Sequence, residues 1–260
     1  MTALTAQTQR LAGHTAVVTG STSGIGEAIA ATLAAHGATV VVCGRDAARG
    51  EAVVKKIVDD GGTASFLAAD LGGSYEQLRS FAAEAESRLG HLDILVNNAG
   101  VYPATRTADL PDADLDTMLA VNIRAPHVLV AEFAPKMAQR GTGAIVNIGS
   151  WMATVGSPFA AIYTATKAAA EQLTRSWAAE FGPHGVRVNT VAPGATLTPG
   201  NKNSRPILDA MTANTPAGVP IDPQDIANAV LFLVSDDASK IHGTTLHVDG
   251  GIATTRMPAR

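Results

Sequence analysis

Short runs of β-branched and apolar residues alternate along the chain with longer segments of helical pattern. Continuous apolar strands separated by helices are typical of a parallel sheet that is covered on both faces. The chain has seven such runs, which predict a single Rossmann-like, doubly wound α/β domain with a seven-stranded parallel sheet flanked by helices. The predicted strands are Thr15–Thr19, Thr39–Cys43, Ala64–Ala68, Leu92–Val96, Ala144–Ile148, Arg187–Val191 and Thr245–Val248.

Residues typical of helix ends agree with this layout. Ser74 and Gln77 have the spacing of a capping box, in which each side chain accepts a hydrogen bond from a free backbone N–H of the first turn. Asp222 places a carboxylate just before Pro223, as at a helix start, and Gly182 is a typical helix stop. The predicted helices include Gly26–His36, Ala47–Asp60, Ser74–Leu89 and Pro158–Phe181.

Two segments lie outside this pattern. Residues 1–12 are polar and lack the basic start and apolar core of a secretory signal. We therefore expect an N-terminal arm there, followed by one catalytic domain at 13–260.

Residues 194–219 are rich in Thr, Pro, Asn and Gly and show no strand periodicity. Long irregular segments in compact domains are usually functional or mobile, so we expect a substrate lid at about 194–219.

The composition narrows the classes of partner. The chain has 46% hydrophobic and 16% charged residues, as a globular protein does, and its net charge of −4 argues against nucleic acid. No apolar run approaches the ~20 residues that span a bilayer, so we expect no membrane contact. The single cysteine, Cys43, cannot form an internal disulfide, which favours a reducing, cytoplasmic location. The scattered histidines predict no metal site.

Tyr163 and Lys167 lie four residues apart in a predicted helix, which places both side chains on one face, about one turn apart. A phenol normally titrates near pKa ~10, and a nearby ammonium favours the phenolate and lowers that pKa. The pair therefore predicts a tyrosine that acts as acid and base near neutral pH. Taken alone, the same spacing also fits an ordinary amphipathic helix.

A glycine-rich turn, Thr19-Gly20-Ser21-Thr22-Ser23-Gly24-Ile25-Gly26, joins the first predicted strand to a helix. Strand, glycine turn and helix together present backbone N–H groups and a positive helix end to a pyrophosphate. The Gly-xxx-Gly-x-Gly spacing differs from the general dinucleotide motif, and glycine turns also occur for structural reasons. The turn nevertheless predicts a nucleotide site.

Further motifs follow in the order found in the short-chain dehydrogenase/reductase family, which the chain resembles from about Leu11 to Gly251. The resemblance implies an enzyme that transfers a hydride between the nicotinamide of NAD(P)(H) and a ketone or secondary alcohol. Ser150 lies thirteen positions before Tyr163, as is usual in that family. The shared motifs are Thr19-Gly20-xxx-Gly24-Ile25-Gly26, Asp70-Leu71, Asn97-Asn98-Ala99-Gly100, Asn122, Ser150, Tyr163-xxx-Lys167, Pro193-Gly194 and Val248-Asp249-Gly250-Gly251.

The resemblance also implies which residues hold the cofactor. Asp70 is expected at the adenine edge and Asn97 at the adenosine end, while Asn98 is expected to brace the sheet. Pro193 and Thr198 are expected near the nicotinamide and its adjoining phosphate. The whole expected set is Gly20, Ser21, Ser23, Gly24, Ile25, Gly26, Arg45, Asp70, Leu71, Asn97, Ala99, Gly100, Tyr163, Lys167, Pro193, Gly194, Thr196 and Thr198, with Thr196 matched by position only.

The end of the second strand bears on the choice of cofactor. An acidic side chain there would accept hydrogen bonds from the ribose of NAD, but this chain has Gly44 and then Arg45. A guanidinium beside a small residue leaves room and charge for the 2′-phosphate of NADP. We expect NADP(H) to be preferred. NAD(H) stays open as the alternative, because a rotation of Asp46 would bring a carboxylate near the ribose.

Four residues form the catalytic set that the resemblance implies. Tyr163 would exchange a proton with the substrate oxygen, and Lys167 would lower the pKa of Tyr163 and hold the nicotinamide ribose. Ser150 would orient the substrate oxygen, unless it simply ends a strand. Asn122 would anchor a water that links Lys167 to solvent; otherwise it caps or kinks its helix.

The substrate is expected beside these residues. A large aromatic and a thioether directly after Ser150 suggest an apolar or aromatic ketone, although Trp151 also fits a subunit contact. The expected pocket residues are Tyr102, Trp151, Met152 and Val155. The resemblance further implies a homotetramer, or a homodimer, with a small-molecule substrate.

Three functions remain open from the sequence. The leading hypothesis is a carbonyl reductase or alcohol dehydrogenase. A similar pattern fits a 3-oxoacyl-carrier-protein reductase, which requires a basic docking surface to which Arg124 would contribute. The alternative of another class is a non-catalytic cofactor-binding sensor or structural relative, and the intact catalytic set argues against it.

Overall fold

All seven predicted strands occur in the computed structural model, which describes residues 9–255. The strand bounds differ from the predicted ones by at most two residues, because pairing with the neighbouring strand, and not the length of the apolar run, decides where each strand ends. They are β1 (Thr15–Val18), β2 (Thr39–Gly44), β3 (Thr63–Ala68), β4 (Ile94–Asn97), β5 (Gly143–Ile148), β6 (Val186–Pro193) and β7 (Thr245–Val248).

The strands pair in parallel in the order β3-β2-β1-β4-β5-β6-β7. The chain builds outward from β1 to β3 and then returns to place β4 on the other side of β1. The strand order therefore reverses between β1 and β4. In open α/β sheets, ligands bind outside the carboxyl ends of the strands at such a switch point. The predicted doubly wound fold is confirmed.

The described part of the chain contains eight α-helices, which lie between the strands. A π-helical turn, Ala120–Arg124, joins the fourth helix to the fifth. The helices are α1 (Gly24–Ala35), α2 (Ala47–Asp59), α3 (Tyr75–Leu89), α4 (Asp112–Leu119), α5 (Ala125–Arg140), α6 (Ala161–Phe181), α7 (Arg205–Thr212) and α8 (Pro223–Val234).

Two buried apolar clusters lie on opposite faces of the sheet. Strand β1 contributes to both of them, because Ala16 and Val18 belong to one cluster and Val17 to the other. Helices α1, α2 and α8 cover the first face, and α3, α5 and α6 cover the second. The sheet is therefore buried on both sides, and its strand ends carry the polar chemistry.

The predicted helix ends are confirmed in detail. Ser74 Oγ accepts a hydrogen bond from Gln77 N at 3.2 Å, and Gln77 Oε1 accepts one from Ser74 N at 2.7 Å. The Asp222 carboxylate accepts from Gln224 N at 2.8 Å at the start of α8, and α6 ends at Phe181. These contacts satisfy N–H groups that lack a partner inside the helix.

The structure shows where the described part of the domain begins and how regular the predicted lid segment is. Residues 1–8 lie outside the described residues, so an arm there stays a prediction, but Leu11 is 1% exposed and its N–H donates to His36 O at 2.8 Å. The domain therefore begins before residue 13. The segment 194–219 is not irregular throughout, since it contains a 3₁₀ turn at Pro199–Ser204 and then α7.

Cys43 is fully buried at the end of β2. Burial raises the pKa of its thiol to about 12, so the thiol stays neutral and behaves as a small apolar side chain. Among residues 9–255, no helix is both long and apolar enough to cross a bilayer. The same part of the chain contains no group of three His, Cys, Asp or Glu arranged to hold a metal ion.

Candidate active site

A cleft of about 470 Å³ lies where the strand order reverses. This volume is in the range of pockets that enclose small ligands and cofactors. Seven residues that the sequence predicts for the cofactor line it: Gly20, Ser23, Arg45, Asp70, Leu71, Ala99 and Gly100. Its other lining residues are Thr22, Gly44, Arg49, Ala69, Gly72, Asn98, Val101, Thr117 and Val121.

Two glycines let the turn after β1 pack closely. Gly20 has a φ of +63°, and a Cβ there would lie 2.9 Å from Ala99 Cα. A Cβ at Gly26 would lie 2.4 Å from Gly20 O, so only glycine fits at this point of α1. Ser23 precedes α1 and makes no side-chain capping bond. The first-turn N–H groups are thus available to an anion beside Ser23.

Two predicted cofactor residues turn their side chains away from the cleft. Ser21 is fully buried, and its hydroxyl donates to Val18 O at 2.6 Å and accepts from Cys43 N at 3.0 Å, which ties β1 to β2. Asn97 is 6% exposed and donates to Asn147 inside the protein. These buried hydrogen bonds join residues far apart in the sequence, which a linear motif does not reveal. Only their backbone groups remain candidates for cofactor contact.

Asn98, expected to brace the sheet, lines the cleft as well. Its Nδ2 donates to Thr19 O at 2.8 Å and to Gly20 O at 3.1 Å. Thr22 and Arg49 also line the cleft, and the sequence analysis did not include them. The spacing of Arg45 and Arg49, four residues apart at the start of α2, is a signal that would have found the second arginine.

The acidic neighbour of Arg45 is already engaged. Asp46 caps α2 by accepting from Arg49 N at 3.0 Å, and its other oxygen accepts from Arg49 Nε at 2.8 Å. The backbone hydrogen bond from Arg49 is the main cause that lowers the pKa of Asp46. Arg45 forms no ion pair within residues 9–255. Two guanidinium groups and the Asp70 carboxylate therefore line the cleft, while the Asp46 carboxylate is held by Arg49.

The loop after β3 that carries Asp70 is held by Arg124. Asp70 accepts from Gly72 N at 3.0 Å, and the Arg124 guanidinium donates to Gly72 O at 2.8 Å and lies 5.2 Å from the ring centroid of Tyr75. Arg124 is half-buried in this position. The Arg124 guanidinium contacts the Gly72 carbonyl and the Tyr75 ring of its own chain. It is therefore poorly placed to contribute to the basic docking surface that a 3-oxoacyl-carrier-protein reductase requires.

Tyr163 lies between Ser150 and Tyr102. The Tyr102 ring centroid is 4.5 Å from that of Tyr163. Ser150 Oγ accepts a hydrogen bond from Met152 N at 3.2 Å and is near enough to the phenol to affect its pKa. Burial raises the pKa of Tyr163, the Ser150 contact lowers it, and the Tyr102 phenol raises it. Burial is the largest of these causes and the net direction is upward, so the predicted lowering of the Tyr163 pKa is wrong.

Lys167 is 7% exposed, one turn after Tyr163 on α6. Its Nζ donates to Ile148 O at 2.7 Å and lies 5.8 Å from the Tyr163 ring centroid. Burial lowers the pKa of Lys167 to about 8, so the ammonium still predominates at pH 7. The predicted arrangement of the pair on one helix face is therefore present, with the lysine charge held in a desolvated site.

Asn122 occupies the π-helical turn between α4 and α5. Its Oδ1 accepts from Val101 N at 2.9 Å, and its Nδ2 donates to Val101 O and to Thr166 Oγ1, both at 3.1 Å. These contacts join this turn to α6 and to the loop after β4. π-turns occur often at functional sites. Asn122 therefore lies in the site, and its role as the anchor of a water stays a prediction.

The segment after β6 packs against the motif after β7 and against the glycine turn after β1. A Cβ at Gly194 would lie 2.6 Å from Asp249 Cα, which brings Pro193 and Gly194 against the motif after β7. Thr196 is 8% exposed and donates to Gly194 O at 3.0 Å. Thr198 lies over the glycine turn, 3.3 Å from where a Cβ of Gly24 would be. Thr198 is the member of this group nearest the predicted phosphate site.

The predicted substrate side is built from two loops. Tyr102 is 49% exposed, and Trp151 and Met152 form a half-buried 3₁₀ turn directly after Ser150, followed by half-buried Val155. Another small crevice beside Tyr163 is lined by Arg106. Its guanidinium lies 5.6 Å from the ring centroid of Phe159, which is half-exposed. The sequence analysis missed both of these residues, and the substrate pocket itself stays a prediction.

Taken together, the site brings a serine hydroxyl, a phenol and an ammonium to the carboxyl ends of β4 and β5, beside the cleft. Ser150 and Tyr163 can both hydrogen-bond one carbonyl oxygen between them, and the phenol can also give or take its proton. A negative charge that develops on that oxygen would be stabilised by the nearby lysine. The arrangement suits proton-coupled reduction of a carbonyl group.

Comparison with known proteins gives a consistent result. Residues 20–253 match a family described as enoyl-(acyl carrier protein) reductase. The chain is 37% identical to the 2,5-dichloro-2,5-cyclohexadiene-1,4-diol dehydrogenase of Sphingobium indicum over 243 residues, which are 93% of this chain and 97% of the relative.

Solved structures are similar over nearly the whole chain. A short-chain dehydrogenase/reductase family protein matches with a TM-score of 0.86 and 46% identity, covering 95% of this chain and 100% of that one. A 3-oxoacyl (acyl-carrier-protein) reductase from Agrobacterium tumefaciens with NADP bound matches with a TM-score of 0.89 and 35% identity, covering 94% and 96%.

Proposed function

The chain belongs to the short-chain dehydrogenase/reductase family and is an NAD(P)-dependent oxidoreductase; we propose that it reduces a ketone, with NADPH preferred and Tyr163 as proton donor. The observation that carries the proposal is the convergence of Ser150, Tyr163 and Lys167 beside the cleft at the switch point. The same residues serve the oxidation of a secondary alcohol in reverse.

The cleft fits a dinucleotide. The close-packed glycine turn leaves first-turn N–H groups free for a pyrophosphate, and Asp70 lies where the adenine would be held. When bound, the nicotinamide supplies the hydride. Lys167, one turn from Tyr163, is placed to hold the adjoining ribose. These contacts position the cofactor beside the phenol.

Side chains of this protein supply the proton for the reduction. The raised pKa keeps Tyr163 protonated near neutral pH, so the phenol is ready to donate its proton to a carbonyl oxygen as negative charge develops there. The Ser150 hydroxyl orients the same oxygen. The Lys167 ammonium stabilises the phenolate that remains.

The preference for NADPH rests on the charges at the end of β2. Arg45 is free of ion pairs within the described residues, and Arg49 lies beside it on the same cleft. Asp46 is occupied by Arg49, so the rotation that would favour NAD requires breaking a helix cap and an ion pair. A 2′-phosphate placed at the end of β2 meets two guanidinium groups, while the Asp46 carboxylate is engaged by Arg49.

A 3-oxoacyl-carrier-protein reductase remains the second candidate, because the NADP-bound relative from Agrobacterium tumefaciens carries that name. The inward position of Arg124 weakens it, since an acidic carrier protein would lack that docking contact. A non-catalytic sensor is less well supported, because the complete catalytic set meets in one site. We also propose a homotetramer or homodimer in the cytoplasm.

The test is oxidation of NADPH and of NADH with a panel of ketones that includes a 3-oxoacyl thioester. We expect Tyr163→Phe to lower kcat by about 10² to 10⁴ and to leave NADPH binding intact, because only the proton donor is removed. Tyr75→Phe removes a phenol at the start of α3 and serves as the control. Full activity of Tyr163→Phe would overturn the mechanism, and activity confined to the thioester would favour the second candidate.

A further inference from the structure

Arg124 belongs to two parts of the site at once. It is the last residue of the π-helical turn Ala120–Arg124, which also carries Asn122. Its guanidinium donates to Gly72 O at 2.8 Å and to Gly73 O, in the loop that follows β3. The side chain therefore joins the turn that carries Asn122 to a loop that lines the cleft.

The loop after β3 decides where the Asp70 carboxylate lies. Asp70 is exposed in the cleft, and its Oδ1 accepts from Gly72 N at 3.0 Å, while its backbone O accepts from Gly73 N at 3.1 Å. The carbonyls of the same two glycines are bonded to Arg124. All four polar backbone groups of the two glycines are thereby engaged, which fixes a segment that glycine itself leaves conformationally free.

The loop and the π-helical turn are packed together as well as hydrogen-bonded. A Cβ at Gly72 would lie 3.6 Å from Val121 Cγ2, so the two segments are nearly in contact. The Arg124 guanidinium lies 5.2 Å from the ring centroid of Tyr75, the first residue of α3. The Arg124 Nε is buried and bonds no described residue. A buried donor without a partner destabilises a fold, so stability alone does not account for an arginine here.

A second set of hydrogen bonds leads from the same turn toward the phenol. Asn122 Nδ2 donates to Thr166 Oγ1 at 3.1 Å, and the Thr166 hydroxyl donates to Tyr163 O at 2.8 Å. Thr166 is 1% exposed, so water does not compete for these bonds. Together with the bonds of Arg124, they form a continuous path from the Asp70 loop to the backbone of Tyr163.

We propose that Arg124 is a positioning residue that couples the adenine end of the cleft to the phenol of Tyr163. This inference rests on the proposed function, in which Asp70 holds the adenine edge and Tyr163 donates the proton. When adenine is bound at Asp70, the loop is fixed, and through Arg124 the π-helical turn and the α6 backbone at Tyr163 are fixed with it. The proton donor is then held more firmly when the far half of the cofactor is in place.

Arg79 offers a matched control for Arg124. Its guanidinium also lies near the Tyr75 ring, 5.8 Å from the centroid, and its Nε donates to Glu132 Oε1 at 3.2 Å. In the described part of the chain, the Arg79 side chain makes no hydrogen bond to the loop after β3. Arg79→Met and Arg124→Met thus remove the same charge and the same kind of contact with Tyr75, and they differ in the bonds to the loop.

The first test is isothermal titration calorimetry with adenosine 2′,5′-bisphosphate, which has the adenine and 2′-phosphate of NADP and no nicotinamide. We expect Arg124→Met to raise its Kd about 10-fold, because the Asp70 loop is no longer fixed, and Arg79→Met to leave the Kd unchanged. Arg124→Lys keeps a charged donor and should recover part of the affinity. Equal Kd values for Arg124→Met and the wild-type protein would overturn the role of Arg124 at the adenine end.

The coupling itself is tested by amide hydrogen exchange in residues 161–167, at the start of α6. These residues do not line the cleft, so the bisphosphate does not cover them directly. We expect saturating bisphosphate to slow exchange there about 3-fold in the wild-type protein and not in Arg124→Met. A merely structural role would change exchange without ligand and leave the response to ligand intact. Equal protection in both proteins, or none in the wild-type protein, would overturn the coupling.

Thr166→Val breaks the path at its other end, and it keeps the coupling testable if Arg124→Met does not fold. We expect this variant to lose the protection of residues 161–167 and to keep the wild-type Kd for the bisphosphate, because Arg124 still holds the Asp70 loop. Full protection in Thr166→Val would overturn the path through this hydroxyl.

Kinetics of ketone reduction separate the two ends of the path. Arg124→Met should raise the KM for NADPH and lower kcat, each about 10-fold, whereas Thr166→Val should lower kcat alone. An unchanged kcat in both variants would overturn the link to the phenol. Absence of ketone turnover in the wild-type protein would instead contradict the proposed function, while the binding and exchange tests would stand. A bisphosphate that does not bind the wild-type protein would contradict the cofactor site and overturn this inference with it.

Discussion

At the scale of the residue, Lys167 keeps an ammonium where almost no solvent reaches it, and its bond to Ile148 O does not compensate for the lost water. The fall of its pKa from 10.5 to about 8 corresponds to about 3 kcal/mol of disfavoured charge at neutral pH. Functional sites often retain such destabilising groups because activity requires them.

We therefore expect Lys167→Met to raise the free energy of unfolding by about 1–3 kcal/mol at pH 7 while abolishing turnover. Between pH 8 and 10.5 the unfolded chain binds more protons than the folded one, so wild-type stability rises through this window and the advantage of the variant shrinks. Urea unfolding at several pH values measures both effects. Lys55→Met, on the surface of α2, should change stability by less than about 0.5 kcal/mol.

Arg45 decides cofactor choice in the proposal and gives a second residue-scale prediction. Arg45→Ala should raise the KM for NADPH about 10- to 100-fold, because a charge-assisted contact to the 2′-phosphate is lost, and should leave the KM for NADH almost unchanged. Steady-state kinetics with both cofactors measure this. Arg79→Ala removes an arginine of α3 that lies outside the cleft lining, and it should affect neither KM. An equal rise for both cofactors in Arg45→Ala would contradict the preference.

Residue identity and spacing predicted many of the residues that line the cleft, but missed Thr22 and Arg49 and did not predict where each side chain points. Ser150 and Tyr163 reach the same site because Ser150 follows β5 and Tyr163 lies on α6, the next helix along the chain. Ser21 and Asn97 belong to the same motifs, but their side chains face the core, where they hydrogen-bond to Val18 O and to Asn147. Likewise, the pKa of Tyr163 depends on burial, which no linear pattern contains.

At the scale of the element, strands and helix caps were predicted well because each depends on local chemistry. The capping box of Ser74 is such a case. The π-helical turn Ala120–Arg124 is different, since its residues suit an ordinary helix. The turn arises from the tertiary contacts of Asn122 with Val101 and Thr166, and these lie far apart in the sequence.

The lid prediction is best tested at its first turn. Asn201 Oδ1 accepts from Thr198 N at 2.7 Å and its Nδ2 donates to Thr196 O at 2.9 Å, which holds the start of the segment near the glycine turn. Asn201→Ala should raise the KM for the ketone several-fold and speed hydrogen exchange across α7, with little change in global stability. Asn203→Ala, two residues on in the same turn, is the control. Unchanged exchange and KM in Asn201→Ala would contradict a lid held in this way.

At the scale of the whole molecule, the sequence predicts the type of sheet but not every detail of its surroundings. Seven apolar runs with helices between them specify a parallel sheet, and short crossovers then favour a doubly wound order. The sequence does not predict what covers the edge strands of the sheet. Strand β7 pairs with β6 alone within the described residues and is half-buried along its length. Edge strands of this kind are commonly covered by other chains or elements.

The proposed assembly follows at this scale. Light scattering during size-exclusion chromatography should give four times the 26.5 kDa of one chain, or twice that mass for a dimer. A mass of one chain at micromolar concentration would contradict the assembly. The measurement is independent of the catalytic proposals, because no residue of the catalytic set lies on β7.

The protected thiol of Cys43 has a practical consequence. Thiolate is the species that reacts with maleimide and iodoacetamide reagents, and a thiol with a pKa of about 12 holds almost none at pH 7. Cys43 of the natural protein is thus expected to react very little with these reagents, so an added cysteine would be labelled selectively. A single cysteine placed at the 63% exposed Ile207 of α7 would take a fluorophore alone and report, in solution and in real time, how this segment moves when a substrate arrives.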